Sequence, residues 1–529
     1  MGEPLLGHSC AVPPDFLFSQ KAPAALDRSG RTRYNEGRAQ NGRKEASKLA
    51  LLRKFFAVEN MLPSGMQGGG LPSSSEMYRK YIQLALPSVL EMVLISLINM
   101  MDTVMVSTVG TDAVAAVGLV GQPRMLMLCF FFAINTGITA VVARRKGEQR
   151  REDANTVLRN SMVLILLLSL VLMALFLPFS KPLMRFAGAE EGRTLEDATA
   201  YYIIVGLALP FNALSMGICA AQRGIGNTKL TMYVNIASNL VNILFNWLLI
   251  NGIGPFPKLG VVGAAIATAI GLFCGFVLSL ISILNGKKHD AFLQLSVRDD
   301  WKLQKQAVSD VSHVALSSMV EQLVLRIGFF SYAKIVANLG TDAFAAHQIV
   351  MQFLNLSFSF ADGLGIAGTA LVGQMLGAKR KDMAHVFGSL AQRFAFLVSL
   401  LLASLCIFAR RPLVSMFISE NANPGVREMA EAVMIVLGVI QPFQMLSVVA
   451  SGALRGAGDV KYTARVMTLT VMLIRPLLAL LAVWLCQTVW ARSDWALIGA
   501  WLASMSDMTT RAILFMRRYQ SGKWHDLRV

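Results

Sequence analysis

Charged side chains stranded in apolar runs are where this chain can do chemistry. Glu91 and Asp102 share one run, Glu321 and Arg326 another, and Asp362 and Arg475 stand in two more. An ionisable residue near the centre of a hydrocarbon layer costs roughly 2.5–3.5 kcal/mol on insertion scales, so it faces a cavity or a partner. A carboxylate so placed can take up and release a proton or a small cation. Asp102, within MMDTVMV in the outer half of its run, is the leading candidate for that role. Glu91 and Glu321 close the similar stretches ALPSVLE and ALSSMVE and are further candidates for ion coupling, with drug binding or holding helices together as the alternatives. Arg326 follows Glu321 as a candidate partner. Lys334 and Asp507 fall near predicted helix ends and read as interface anchors. A membrane-embedded enzyme would need a clustered acid, base or metal set. The six His residues (His8, His289, His313, His347, His385, His525) are scattered, and there is no Gly-rich phosphate loop. Cys129, Cys219, Cys274, Cys406 and Cys486 lie in apolar runs without metal or redox spacing, so they read as small core hydrophobes.

The elements that position these residues occur twice. GTDAVAA at 110–116 returns as GTDAFAA at 340–346, and GEQRREDA at 147–154 faces GAKRKDMA at 377–384. PF at 210–211 followed by RGIGNTK at 223–229 faces PF at 442–443 followed by RGAGDVK at 455–461. The period is far too long for a solenoid, so the whole unit is duplicated. The chain is 54% hydrophobic and 15% charged, with a mean hydropathy of +0.53. Apolar runs long enough to cross a membrane as helices are predicted at 80–109, 114–143, 157–182, 198–221, 230–252 and 260–285. Six more follow at 307–338, 343–376, 385–410, 430–454, 464–488 and 495–516. An even number of spans per repeat relates the halves by an axis along the membrane normal. Pro87, Pro123, Pro210, Pro442 and Pro476 are expected to interrupt spans.

Charge gives the orientation. ARRKGEQRR at 143–151, GKKHD at 286–290, GAKRK at 377–381 and MRRYQSGKW at 516–524 all fall on one side if the N-terminus is cytoplasmic, which the positive-inside rule favours. The net charge of +17 is then answered by an anionic inner leaflet and implies no nucleic acid. Residues 1–76 are polar and rich in Gly, Pro, Arg and Ser, and are expected to form a disordered extension, with a possible amphipathic helix over 44–62. The expected divisions are a first lobe over 77–290, a cytoplasmic connector over 291–305 and a second lobe over 306–529. Both termini are placed in the cytoplasm, at a plasma (inner) membrane.

Several stretches carry a resemblance: DTVMVSTVGTDAVAAVGL, RRKGEQ, RGIGNTK, NILFNWLLINGIGPFPKLGVVGAAIAT, AAHQI, ALVGQMLGA and RRYQSGKW. In this order, on a six-plus-six repeat over about residues 79–525, they resemble the multidrug and toxic compound extrusion (MATE) family, in its NorM-like branch. The resemblance implies an all-α polytopic membrane protein of two pseudo-symmetric six-helix bundles, a fold shared with polysaccharide and lipid flippases. It implies export of amphipathic, often cationic, drugs or toxins in exchange for protons or sodium ions, with no cofactor.

The resemblance also assigns residues. Asp102 matches an acidic position in the family's first helix. The family pattern of Asn followed four residues later by Asp reads here as Asn242 and Asn246, which hydrogen-bond but cannot carry the proton, and so become partners of Asp102. In span 7 the coupling glutamate of the NorM-like branch aligns with Leu325, one turn beyond Glu321. Span 10 carries Gln441 and Gln444 in place of that branch's acid. His347, in AAHQI, matches a family motif, and with Gln441, Gln444 and Phe353 it is a candidate for the substrate cavity. Arg475 precedes Pro476, and the pair reads as a kink with an internal partner.

Rival readings differ in composition. A flippase for a lipid-linked oligosaccharide shares the fold but favours several unneutralised Arg and Lys for pyrophosphate, whereas these spans hold about as many acids as bases. A channel would use a filter rather than two repeated lobes with carboxylates in them. A monomeric exchanger of small molecules, with lipid as its surroundings, is the expectation.

Overall fold

The computed structural model describes residues 57–63, 70–285, 291–296, 298–418, 423–489 and 495–527, and no strand occurs among them. The predicted helix over 44–62 and most of the expected disordered extension lie outside the described residues. Val58–Met61 form a 3-10 turn, and the first long helix starts at Ser74, so residues 74–76 belong to it rather than to the extension.

In the first half the helices are α1 (Ser74–Ser107), α2 (Thr111–Gly147), α3 (Arg151–Phe176), the short α4 (Ser180–Phe186), α5 (Arg193–Leu207), α6 (Leu209–Gly224), α7 (Thr228–Asn251) and α8 (Gly260–Leu284). The second half repeats the order with α9 (Lys305–Ala337), α10 (Thr341–Gly377), α11 (Lys381–Phe408), the short α12 (Arg410–Ser415), α13 (Pro424–Gly456), α14 (Val460–Met467), α15 (Arg475–Trp484) and α16 (Ala496–Gln520). Among the described residues, ten helices are long and apolar enough to cross a membrane, the stretch Val460–Thr488 counting as one. The fourth predicted span is a pair, α5 and α6, bent by 49°. The twelfth, α16, is 25 residues long and spans roughly 37 Å, but Asp507 and Arg511 in its middle lower its hydropathy.

The recurrent GTDA marks a helix start. Gly110 and Gly340 sit at the N-caps of α2 and α10 with φ of 140° and 113°, a backbone that favours glycine. Asp112 and Asp342 follow in the first turns, where a carboxylate complements the helix dipole.

Proline breaks the helices less than expected. Pro87, Pro123 and Pro442 lie inside helices that run on through them. Pro210 follows the α5–α6 bend, and Pro476 opens α15 after a π-helical stretch over Thr468–Ile474. There the missing N–H falls where the helix is already interrupted.

The halves meet along α1 against α10 and α2 against α9, two pairings that the repeat exchanges. The first half's core reaches past the connector, through Leu293 and Leu295, to Ala307 and Val311 of α9. A separate core, including Leu437, Trp501 and Met508, fills the second half. At the end bearing the basic connectors the halves touch. A Cβ on Gly147 would lie 1.9 Å from the Gln374 carbonyl oxygen, and one on its repeat mate Gly377 would lie 2.1 Å from that of Arg144. Arg145 bridges to Asp310 at 2.8 Å, and Gln374 Nε2 donates to the Gly224 carbonyl at 2.8 Å. Arg144 reaches across to the Leu527 carbonyl of the C-terminal segment at 3.0 Å.

Candidate functional site

Within the first half, α1, α2, α5, α7 and α8 enclose a cavity of about 340 Å³ whose lining includes Asp102, Arg124, Tyr201, Asn246 and Thr268. Asn242 and Asn246 stand four apart on α7, so both face α1. Asn246 Nδ2 donates to Asp102 Oδ1 at 2.9 Å. With its amide nitrogen turned toward the carboxylate, Asn242 donates to the same oxygen at 3.0 Å while its own oxygen accepts from the Thr268 hydroxyl at 3.3 Å. Both asparagines are buried and Asp102 is half-buried. Asn246 Oδ1, also buried, meets no donor. The arrangement is a carboxylate open to a small chamber and held by two neutral amides. The sequence brought together the three residues that the structure does.

Glu91 and Glu321 are fully buried, each engaged within its own half. Glu91 accepts from Arg223 Nη1 at 3.0 Å, Thr231 Oγ1 at 2.8 Å and Asn235 Nδ2 at 2.6 Å. Glu321 accepts from Arg455 Nη1 at 2.8 Å and Thr463 Oγ1 at 3.4 Å. Arg223 and Arg455 open the repeated RGIGNTK and RGAGDVK motifs, so the duplication was the signal for this pairing. Arg326, expected as the partner of Glu321, is not its partner. Five residues on, it points off the helix in another direction and contacts Met125 Sδ at 3.8 Å.

A second cavity, of about 350 Å³, lies between the halves, and its charged lining is Arg223, Arg326, Asp362 and Arg455. His347, Gln441 and Gln444 line neither cavity. His347 is buried among the rings of Tyr332, Phe344 and Trp501. Gln441 and Gln444 both bind the Ser357 hydroxyl inside the second half. Phe353 packs edge-on against Phe417 at 5.6 Å.

Asp507 is no interface anchor. It is fully buried in mid-α16, and Arg475 and Arg511 share it, at 2.6 Å and 3.1 Å. The residue sits in mid-helix, and the charges that answer it are Arg511 on the next turn and Arg475 across on the neighbouring helix. Arg475 does have the internal partner expected of it, and its guanidinium also lies 4.7 Å from the Phe329 ring centroid. Lys334 is exposed in the last turn of α9, as an anchor should be.

Comparison with known proteins agrees with this architecture. The MatE family profile matches residues 87–248 and 317–481, one segment in each half. "Probable multidrug resistance protein NorM" of Thermotoga maritima is 28% identical over 453 residues, covering 85% of this chain and 93% of that protein. "Uncharacterized transporter YisQ" of Bacillus subtilis is 25% identical over 442 residues, covering 83% and 94%. The solved structure of a MOP superfamily transporter from Pyrococcus furiosus superposes with a TM-score of 0.76 at 21% identity, over 84% of this chain and 97% of that one. With a duplicated six-helix unit and a family match in each copy, this multi-pass membrane protein belongs to the MatE family.

Proposed function

We propose that the protein is a secondary active multidrug efflux antiporter and not an enzyme. It exports amphipathic small molecules bearing a cationic group, and takes a proton or sodium ion in exchange at Asp102. The observation that carries this reading is the Asp102 chamber, where one carboxylate opens to a cavity and is held by Asn242 and Asn246. Relatives named for multidrug resistance support the substrate side of it. The unpaired acceptor Asn246 Oδ1 offers a ligand to a cation at Asp102, whether hydronium-borne proton or sodium. Glu91 and Glu321, already neutralised by arginines, are assigned to holding each half together.

Export follows if the two halves rock about their shared contacts, exposing the cavity between them to each side in turn. The protein works as a monomer in the plasma membrane, with both termini and the basic connectors in the cytoplasm. No cofactor or nucleic acid takes part. The cavity between the halves holds one arginine without a carboxylate, too few for a lipid-linked pyrophosphate.

The test is uptake of ethidium or a fluoroquinolone into proteoliposomes, driven separately by imposed proton and sodium gradients. One of the two gradients should drive uptake. Asp102→Asn should insert normally and lose at least tenfold in gradient-driven rate. Full transport by Asp102→Asn at every pH would remove Asp102 from the mechanism.

A further inference from the structure

Four charged side chains line the cavity between the halves, and two of them are spoken for. Arg223 is answered by Glu91 and Arg455 by Glu321, the same clamp in each copy of the repeat. Arg326 and Asp362 are left. Both are exposed in this cavity, and neither forms an ion pair with any described residue. Arg326 has only the weak contact to Met125 Sδ at 3.8 Å, and Asp362 lines the same cavity as Arg455 without pairing with it. Neither has a counterpart in the first half, where the repeat places Ser96 and Phe132. The clamps come in matched pairs, so they belong to the fold that was duplicated. Arg326 and Asp362 break the match, as a function belonging to one copy would.

Two opposite charges that share a water-accessible space without joining leave a gap for something that joins them. We infer that this cavity binds amphipathic zwitterions, with Arg326 holding an oxyanion of the substrate, a carboxylate above all, and Asp362 holding its amine. A guanidinium presents a planar fork of donors that a carboxylate fills with two parallel hydrogen bonds, while a plain cation would meet Arg326 as a like charge. The cavity's volume of about 350 Å³ suits a molecule of drug size. The inference narrows the substrate class of the antiport reading and rests on it: Arg326 becomes the residue that sets specificity, and lipophilic cations become the poorer ligands.

The experiment is equilibrium binding to the purified full chain in detergent, with no gradient present. The probes are a rhodamine with a free carboxylate and its methyl ester, which differ in that group alone. The parent should bind the acid about tenfold or more tightly than the ester. Arg326→Gln should abolish that preference by weakening the acid while leaving ester affinity within about twofold. Arg326→Lys should keep part of the preference, and Asp362→Asn should weaken both probes alike. Equal affinities in the parent, or a preference that survives Arg326→Gln, overturns the proposal. So does displacement of the acid rhodamine by a short-chain phosphatidate at lower concentration than by the rhodamine itself, since the oxyanion would then be a lipid's. If Arg326→Gln does not fold, the parent comparison and Arg326→Lys still decide. Binding preference without gradient-driven transport would sink the antiport reading alone, whereas transport without preference would sink this one alone.

Discussion

Glu91 and Glu321 hold equivalent places in the two halves, and each is clamped by the equivalent arginine, Arg223 at 3.0 Å and Arg455 at 2.8 Å. Each pair ties the first helix of its half to the RG motif that ends the fourth span. The carboxylates are fully buried, whereas the arginine side chains keep 14% and 20% exposure. That asymmetry decides which partner matters more. Removing a glutamate leaves an arginine that water in the cavity still reaches. Removing an arginine strands a carboxylate with none.

Arg223→Gln and Arg455→Gln should therefore destabilise more than Glu91→Gln and Glu321→Gln. Breaking a buried pair from one side costs about 3–5 kcal/mol, and the arginine variants should approach that figure. The glutamate variants should lose about half of it, since the amide keeps hydrogen bonds to Thr231 and Thr463. Thermal unfolding followed by size-exclusion in detergent measures the order. If the glutamate variants unfold first, the carboxylates do more than clamp.

The triad of Asp507 with Arg475 and Arg511 makes the opposite case. All three side chains are buried, with one negative charge between two positive ones. Asp507→Asn should leave two guanidiniums in the core without a counter-charge, and little folded protein should accumulate in the membrane. Arg475→Gln removes one positive charge and leaves Asp507 paired with Arg511, so it should be milder by at least about 1 kcal/mol. The double variant Arg475→Gln/Asp507→Asn should recover part of the loss, as coupled groups do. Additive losses would mean that the triad is not a unit.

The duplication and the order of the spans were legible because helix length and apolarity are local properties of the chain. The Asp102 group was reached through the resemblance, which aligned Asp102 with an acidic position of the family and Asn242 and Asn246 with its Asn/Asp pattern. The partner of Glu321 and one of the two partners of Asp507 were not legible from spacing along a helix, although Arg511 stands one turn from Asp507. Arg455 lies 134 residues from Glu321 and Arg475 lies 32 from Asp507, so tertiary packing chose them. The repeat did carry the first of these, because Arg223 and Arg455 head the same motif. His347, Gln441 and Gln444 were cavity candidates through the resemblance, yet each is buried in the second half. Polarity in an apolar helix indicates that a side chain is inside, without saying whether it faces a cavity or a neighbour.

The C-terminal segment should dock in a pH-dependent way. His525 packs on Trp524 with ring centroids 4.1 Å apart and faces His385, Lys381 and Asp526, while Lys381 pairs with Asp526 at 2.5 Å. Burial, and then the Lys381 charge, hold the His525 imidazole below its usual range. Lys381 likewise holds the Asp526 carboxyl below its usual range. A histidine with a lowered value stabilises docking while both states are neutral, and that contribution is lost as pH falls below about 6.5, where the undocked ring protonates first. Asp526 adds its own loss only at lower pH, below about 4. A cysteine placed at Leu527 should be shielded near pH 8 and labelled faster near pH 5.5, and His525→Gln should flatten the response. Equal labelling across this range would show that the tail does not sense protons.

Gly147 and Gly377 set how closely the halves approach at the basic face. Gly377→Ala would put a methyl group 2.1 Å from the Arg144 carbonyl oxygen, well inside contact distance and against backbone, so the helices must part. Overpacking of this kind costs about 1–3 kcal/mol. The cost falls only on the state in which this face is closed, because a state open there lacks the contact. The population should therefore shift on the order of tenfold toward opening at the basic face. A cysteine at Gln322, on the wall of the cavity between the halves, reports the shift. With an impermeant maleimide, labelling from the basic side should rise in Gly377→Ala and labelling from the opposite side should fall, with transport reduced at normal membrane levels. Gly147→Ala should do the same through the Gln374 carbonyl, because the repeat makes the two contacts equivalent. If both variants keep the parent's sidedness and full transport, the glycine crossing is packing that never opens, and the rocking of the two halves turns on other contacts.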